Sequence, residues 1–346
     1  MSRYPSVQRV CRLILLTVLP AILIPAAVTA DEPGHPDLLL VVGAPGLDEY
    51  RAAFAEWADR WMTAATAAEV ELQVIGVKPH QPTEDSENEP LQESAETDRD
   101  QLLRALHEQV LSGSTEPLWL VFIGHGTWDQ KTARLNLQGP DISAAEISAV
   151  LQDSGRPIVA IFCCSSSAPF LNALSAPGRV IITATRDGAE SQYSRFGAAL
   201  STAVTSREAD RDQDGQVSLL EAWLYASIRT AEFYEQEGRL ATEHSLLDDN
   251  GDQRGIRAES VSSMTAEDRE FADPSIDGEL AASISFVRSE AERRMTADQR
   301  LLRDALEVQL RALKVRRRDM DETDYLQRLE DLLVPLAKLY EESAAP

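Results

Sequence analysis

Leu38-Leu-Leu-Val-Val-Gly43 is a short continuous apolar run closed by glycine, the mark of a buried strand. From Glu49 to Ala68 the period changes. Tyr50, Phe54, Trp57 and Trp61 recur at helical spacing and define one apolar side. Val70 to Val77 reads as a second strand, Leu102 to Leu111 as an amphipathic helix, and Leu118-Trp-Leu-Val-Phe-Ile123 as a central strand running into Gly124-His125-Gly126. Ser143-Ala-Ala-Glu146 is a capping box that opens a helix. Pro157 to Phe162 is a further buried strand ending at Cys163 and Cys164, Ala168 to Leu174 is helical, and Val180 to Ala184 is another strand. Strands without polar alternation, separated by helices, predict an α/β fold with a mostly parallel sheet covered on both faces.

Other stretches break this rhythm. Pro79 to Asp100 carries Glu84, Asp85, Glu87, Glu89, Glu93, Glu96, Asp98 and Asp100 with no aromatic residue, and is expected to be a mobile acidic loop. Near the C-terminus, Thr296-Ala-Asp-Gln299 is a capping signature. Leu302, Leu306, Leu310 and Leu313 follow it at helical spacing, then Leu326, Leu329, Leu333, Leu336 and Tyr340 after a polar break. A C-terminal α-helical hairpin over 294–346 is expected, kinked at Pro335, behind a linker at 261–293. Its role is open between packing on the core and self-association.

The first thirty residues have the three parts of a secretory signal: Arg3, Arg9 and Arg12, an apolar run from Leu13 to Val28, and small residues at Val28-Thr29-Ala30. The run is short of the about 20 residues of a spanning helix, and no later segment is apolar enough to span a bilayer. The chain is expected to be exported, periplasmic or secreted, with residues 1–30 removed and the main domain over 31–260. The net charge of −24 becomes −27 without the three leader arginines. That charge argues against nucleic acid or an anionic membrane surface as partner, since both require positive charge. Only Cys163 and Cys164 remain after the leader, so no disulfide framework is expected, and adjacent cysteines bridge only with strain.

Asp210-Arg-Asp212-Gln-Asp214-Gly215-Gln216-Val217-Ser218-Leu-Leu-Glu221 satisfies the twelve-residue EF-hand pattern. Calcium takes six to eight hard oxygens. Asp210, Asp212 and Asp214 offer carboxylates at alternate positions, Gly215 allows the turn, and Gln216 offers its backbone carbonyl. Ser218 would ligate directly or through water, and Glu221 through both oxygens. A metal here, following the sheet directly, is expected to order a wall of the cleft. Asp248, Asn250 and Asp252, with Glu259 eleven residues after Asp248, echo the spacing. Gly251 and Gly255 are out of place for it, so that stretch reads as a turn or a minor ion site.

His125 and Cys164 fall at the ends of two strands, where open α/β sheets place their sites. A thiolate is a strong nucleophile that a nearby imidazole can activate. Equally, a histidine between glycines can close a turn, and a cysteine at a strand end is often a small buried hydrophobe. Ile123-Gly-His125-Gly-Thr, Ile161-Phe-Cys-Cys164-Ser-Ser-Ser-Ala-Pro-Phe170, Ile182-Thr-Ala-Thr followed by Glu190-Ser-Gln-Tyr193, and Gly43-Ala-Pro-Gly46 through Tyr50-Arg51 together resemble the legumain family of caspase-like cysteine peptidases over roughly residues 38–205. The resemblance implies a caspase-like three-layer sandwich and a peptide or protein substrate. It implies His125 as general base and acid, Cys164 as nucleophile, and an oxyanion hole from the Gly126 and Cys164 amides. Arg51 matches an arginine lining a pocket for Asn or Asp before the cut. Ser165, Ser166 and Ser167 stand where the family has Glu, Ser and Gly, and the calcium loop is not a legumain feature. The alternative expectation is a non-catalytic calcium-binding module on the same fold.

Overall fold

The computed structural model describes residues 37–76, 96–263, 277–317 and 320–344. The expected signal segment and most of the acidic loop lie outside the described residues. Among them, no helix is long and apolar enough to cross a membrane.

The main sheet is built from β1 (Asp37–Val42), β2 (Glu71–Gly76), β3 (Leu118–Ile123), β7 (Ile158–Cys163), β8 (Arg179–Thr183), β9 (Leu246–Asp248) and β10 (Ile256–Arg257). Their order is β10-β9-β8-β7-β3-β1-β2, with the first five in sequence parallel and β9 and β10 antiparallel. A small antiparallel sheet of β4 (Gly126–Trp128), β5 (Ala133–Leu135) and β6 (Ile142–Ser143) stands beyond the end of β3.

Successive side chains of a strand point to opposite faces, and the core divides accordingly. Leu38, Leu40, Val42, Trp119, Val121, Ile161 and Cys163 face one layer. It contains α1 (Asp48–Ala68), α5 (Phe196–Ala203) and α6 (Leu219–Gln236). Leu39, Val41, Leu120, Phe122, Ala160 and Phe162 face the other. It contains α2 (Asp98–Leu111), α3 (Ala144–Leu151) and α4 (Ala168–Leu174). The fold is thus a three-layer α/β sandwich with a mostly parallel sheet. A local signal acts where expected: Ser143 and Glu146 form a reciprocal capping box at α3. Ser218 and Glu221, expected as calcium ligands, form another at α6. One boundary moves. Thr97 caps α2 through Asp100 N, so Asp98 and Asp100 belong to a helix turn and not to the acidic loop.

The stretch read as a linker carries core residues. After α7 (Ala258–Ser263), the chain is described again from Asp277, through α8 (Glu279–Ser283) and α9 (Glu290–Arg294). Between these two, buried Phe286 inserts edge-on between Trp61 and Trp119, at 5.3 and 4.8 Å between ring centroids. The hairpin follows as α10 (Ala297–Val315) and α11 (Glu322–Ala344), the latter continuous through Pro335. Its own core is small, with Met295, Leu306 and Leu339 buried. Buried ions tie its start to the sheet. Glu116, two residues before β3, pairs with Arg300 at 2.8 Å and Arg288 at 2.5 Å, and Glu292 pairs with Arg303 at 2.9 Å. The hairpin is therefore anchored below the N-terminal ends of the parallel strands.

Candidate active site and calcium loop

Register brings the two expected site segments together. Ile123 pairs with Cys163, so His125-Gly126 and Cys164 leave the sheet side by side at its C-terminal edge. The backbone there is committed. Asn136 N donates to His125 O at 3.0 Å, which makes Gly126 and Leu135 a non-hydrogen-bonded pair of the β4–β5 ladder. The Gly126 amide and carbonyl therefore turn away from β5, toward Ser165. A Cβ on Gly126 would lie 2.2 Å from Ser165 O and 3.3 Å from Cys164 Sγ, so only glycine permits this approach.

His125 is held by its surroundings. Its ring meets Tyr50 and Phe54 edge-on at 5.0 and 5.2 Å, and Tyr50 stacks on Tyr193 at 4.5 Å. Nε2 lies 3.1 Å from Pro45 O. A carbonyl only accepts, so the proton sits on Nε2 and Nδ1 is left as the acceptor. An imidazole held this way has the orientation by a third group that a general base requires.

The thiol lies apart from the imidazole. Cys164 is fully buried among the residues facing α2, α3 and α4, while the imidazole packs toward α1. Burial pushes its thiol up to about 12, so it is neutral. Cys163 faces the opposite layer, and burial raises it as well. Both thiols are free, consistent with divergent side chains along an extended strand. Neither forms a hydrogen bond with His125 among the described residues. Ser165 Oγ accepts from Gly126 N at 3.2 Å and donates to Gly126 O at 3.1 Å. The amide expected to hold an oxyanion is thus capped by a side chain that sequence reasoning noted only as a departure from the family.

Two clefts flank this centre. One of about 500 Å³ is lined by Gly126, Trp128, Ser166 and Gly188. The other, of about 390 Å³, is lined by Tyr50, Gln192, Tyr193, Arg195 and Arg239. Arg51 is not part of it. Arg51 is exposed on α1, 3.6 Å from Asp48. Arg195 takes the cleft-facing place, its guanidinium 4.2 Å from the Phe233 ring. The Glu190-Ser-Gln-Tyr193 segment pointed to this wall without singling out the arginine.

In the loop expected to bind calcium, oxygens of Asp210, Asp212 and Asp214 come within 4.8 Å of one another. Asp210 Oδ2 accepts from Gly215 N at 3.2 Å, whereas Asp210 Oδ1 is buried without a partner. A buried carboxylate oxygen left unpaired is costly in the absence of a ligand, so the donor set fits a hard cation. Partial removal from water, then the charges of Glu221 and Asp210, raise Asp212. Burial also raises Asp214, with the Gln216 amide opposing it. Glu221 sits over the loop entrance. Its Oε1 accepts from Arg211 N at 2.8 Å, and its Oε2 accepts from Ser218 N and Oγ at 2.9 and 2.8 Å. The Ser218 hydroxyl serves the helix cap. The Gln216 side chain accepts from Ser289 N at 3.0 Å. Ser218 bridges Ser285, and Leu219 N donates to Ile284 O at 2.7 Å. The segment that carries Phe286 and Arg288 thus closes the loop. That segment lies below β3, a six-residue strand or roughly 20 Å from His125. The loop is therefore not a wall of the cleft: α5 and the turn after it, up to Ala209, carry the chain away from the site edge before the loop begins.

Neither a family model nor a curated protein matches the chain. Among solved structures the chain is similar to the Drosophila initiator caspase Dronc, at 14% identity over 66% of this chain and 84% of that chain, with a TM-score of 0.39. At that score the likeness assigns nothing, and the functional reading rests on the residues of the site.

Proposed function

We propose that the chain is an exported cysteine-type endopeptidase of the legumain and caspase-like kind, with calcium bound at Asp210–Glu221. The observation that carries this reading is the Pro45 carbonyl on His125 Nε2, which leaves Nδ1 as acceptor on the edge where Cys164 leaves the sheet. In the reaction, the Cys164 proton passes to His125 Nδ1 and the sulfur attacks the peptide carbonyl. The oxyanion takes the Gly126 amide once Ser165 turns away. His125 then protonates the departing amine, and water hydrolyses the thioester with His125 as base. Catalytic contacts commonly tighten only when substrate is bound. Arg195 and Arg239 in the neighbouring cleft suit an Asp or Asn side chain before the cut.

Calcium would be held by Asp210, Asp212 and Asp214, with Glu221 exchanging its backbone donors for the ion. Its contribution is to the stability of the base of the fold, where the loop and the 284–289 segment meet. A second reading, a non-catalytic calcium-binding module, is favoured by the complete burial of Cys164. Hydrolysis of peptides carrying Asn or Asp before the cut separates the two. The peptidase reading requires turnover that His125→Ala abolishes. A folded, calcium-loaded protein without turnover on any peptide of a mixed-sequence library supports the module instead.

A further inference from the structure

Asp248–Arg254, the loop leaving β9, repeats the backbone of Asp210–Gln216 position for position. In the first loop Gln213 and Gly215 have φ of 62° and 91°; in the second Gly251 and Gln253 have 80° and 67°. Asp214 N donates to Asp212 Oδ1, and Gln216 N to Asp214 Oδ1. The counterparts are Asp252 N to Asn250 Oδ1 at 2.8 Å and Arg254 N to Asp252 Oδ1 at 2.7 Å. Glycine and glutamine have simply exchanged the two left-handed positions. The misplaced Gly251 that made this stretch read as a turn is thus no obstacle.

Similar turns alone would not make a site. The independent observation is Asp248, which is 0% exposed. Its Oδ1 accepts from Gly251 N at 3.1 Å, and its Oδ2 is buried without a hydrogen-bond partner. Asp210, the first residue of the other loop, has the same orphaned oxygen. Ser175 stands beside Asp248 and accepts Gln253 N at 3.0 Å, the amide that Asp210 would take in the first loop. Two further buried carboxylates lie nearby. Asp277 Oδ1 accepts from Asp249 N and Asn250 N, and Asp249 accepts from Gly278 N and Ala281 N. A buried carboxylate with a free oxygen and acidic neighbours calls for a cation.

We propose that Asp248, Asn250 and Asp252 form a second calcium site, with the Arg254 carbonyl as the backbone ligand at the position Gln216 holds in the first. It differs from the first in its closure. Glu259 has the sequence place of Glu221, but lines a pocket with Glu243 and His244 instead of the loop. With no bidentate glutamate, the site has fewer charged ligands. Its affinity falls in the weak range of extracellular modules, about 10⁻⁴–10⁻³ M.

The test is a count of bound metal. The calcium-stripped full chain is dialysed to equilibrium against about 2 mM calcium, above that range, and the bound ion is measured by atomic emission. Wild type holds two ions and Asp252→Asn one. Glu221→Gln, which weakens the first loop, also holds one, and the double variant holds none. Asp252 is exposed, so its replacement does not threaten folding; Asp248→Asn gives the same count as Asp252→Asn. A single ion lost in Asp252→Asn but kept in Glu221→Gln upholds this site and removes the first. Wild-type stoichiometry in both Asp252→Asn and Asp248→Asn overturns the proposal.

Discussion

Ser165 is the residue whose replacement most sharply probes the resting site. Its hydroxyl makes two neutral hydrogen bonds to Gly126, at 3.2 and 3.1 Å, and so occupies the amide that the proposed reaction needs. Each such bond contributes about 0.5–1.5 kcal/mol net. In wild type the rotated hydroxyl recovers part of this elsewhere, leaving about 1–2 kcal/mol in favour of the capped state, or a factor of about 5–30 in population. An oxyanion donor is worth about 10²–10³ in rate, so essentially only the uncapped form turns over. Ser165→Ala removes the cap without adding volume, and kcat/KM for an Asn or Asp peptide rises about 5–30-fold. The variant also loses about 1–3 kcal/mol of stability, because the Gly126 amide and carbonyl go unpaired in the free enzyme. That loss is expected whether or not the amide is catalytic, so it decides nothing. The discriminating quantity is the rate measured well below the melting temperature. An unchanged or lower kcat/KM would refute the idea that Ser165 holds the oxyanion donor in reserve.

Calcium removal lowers the melting temperature. At a hundred times the dissociation constant, binding stabilises by about 2.7 kcal/mol, a shift of about 5–10 °C for a domain of this size; scanning calorimetry of Glu221→Gln with and without chelator loses most of that shift. Phe286→Ala opens a void between Trp61 and Trp119 and costs about 3–5 kcal/mol in denaturant unfolding, where a true linker residue would cost nothing measurable. The Cys164 thiol, raised to about 12 by burial, stays protonated across neutral pH in the folded resting state. Alkylation of native protein by iodoacetamide therefore stays slow and nearly flat from pH 7 to 9, while the unfolded chain reacts faster as its thiols ionise near the ordinary cysteine pKa of about 8.5; a native rate that rises like the unfolded one contradicts the burial.

Four of the parallel strands, β1, β3, β7 and β8, were legible as near-continuous apolar runs, while β2 carries Glu71 and Gln73 and was read from Leu72, Val74 and Ile75. Helices α1 and α3 announced themselves, the first by aromatic spacing and the second by its capping box. What escaped has a physical reason. β9 is three residues long and ends in a buried acid, Asp248, which no hydrophobic pattern marks. The strands β4 to β6 are short and mixed in character. Phe286 is a single aromatic in a polar stretch, and its burial depends on a gap left by two tryptophans distant in sequence. At the site, strand order put His125 and Cys164 on one edge, and the sequence pattern foretold that. The facing of each side chain did not follow: the thiol turns to one layer and the imidazole to the other, and Ser165 caps the Gly126 backbone. The turn that gathers Asp210, Asp212 and Asp214 was readable from its acids, since the twelve-residue pattern is local. The distance of that loop from the cleft was not, because it depends on how far α5 and the turn after it carry the chain from the site edge.

The claim at the centre of this account is that Cys164, not Cys163, becomes the nucleophile under His125. It is tested most directly by trapping the covalent adduct of a peptide electrophile bearing Asn or Asp, and mapping the modified cysteine by mass spectrometry in wild type and His125→Ala. The account predicts one adduct, on Cys164, whose formation slows at least about a hundredfold without the imidazole, as loss of general base catalysis demands. An adduct on Cys163, or labelling of Cys164 indifferent to His125, would contradict it.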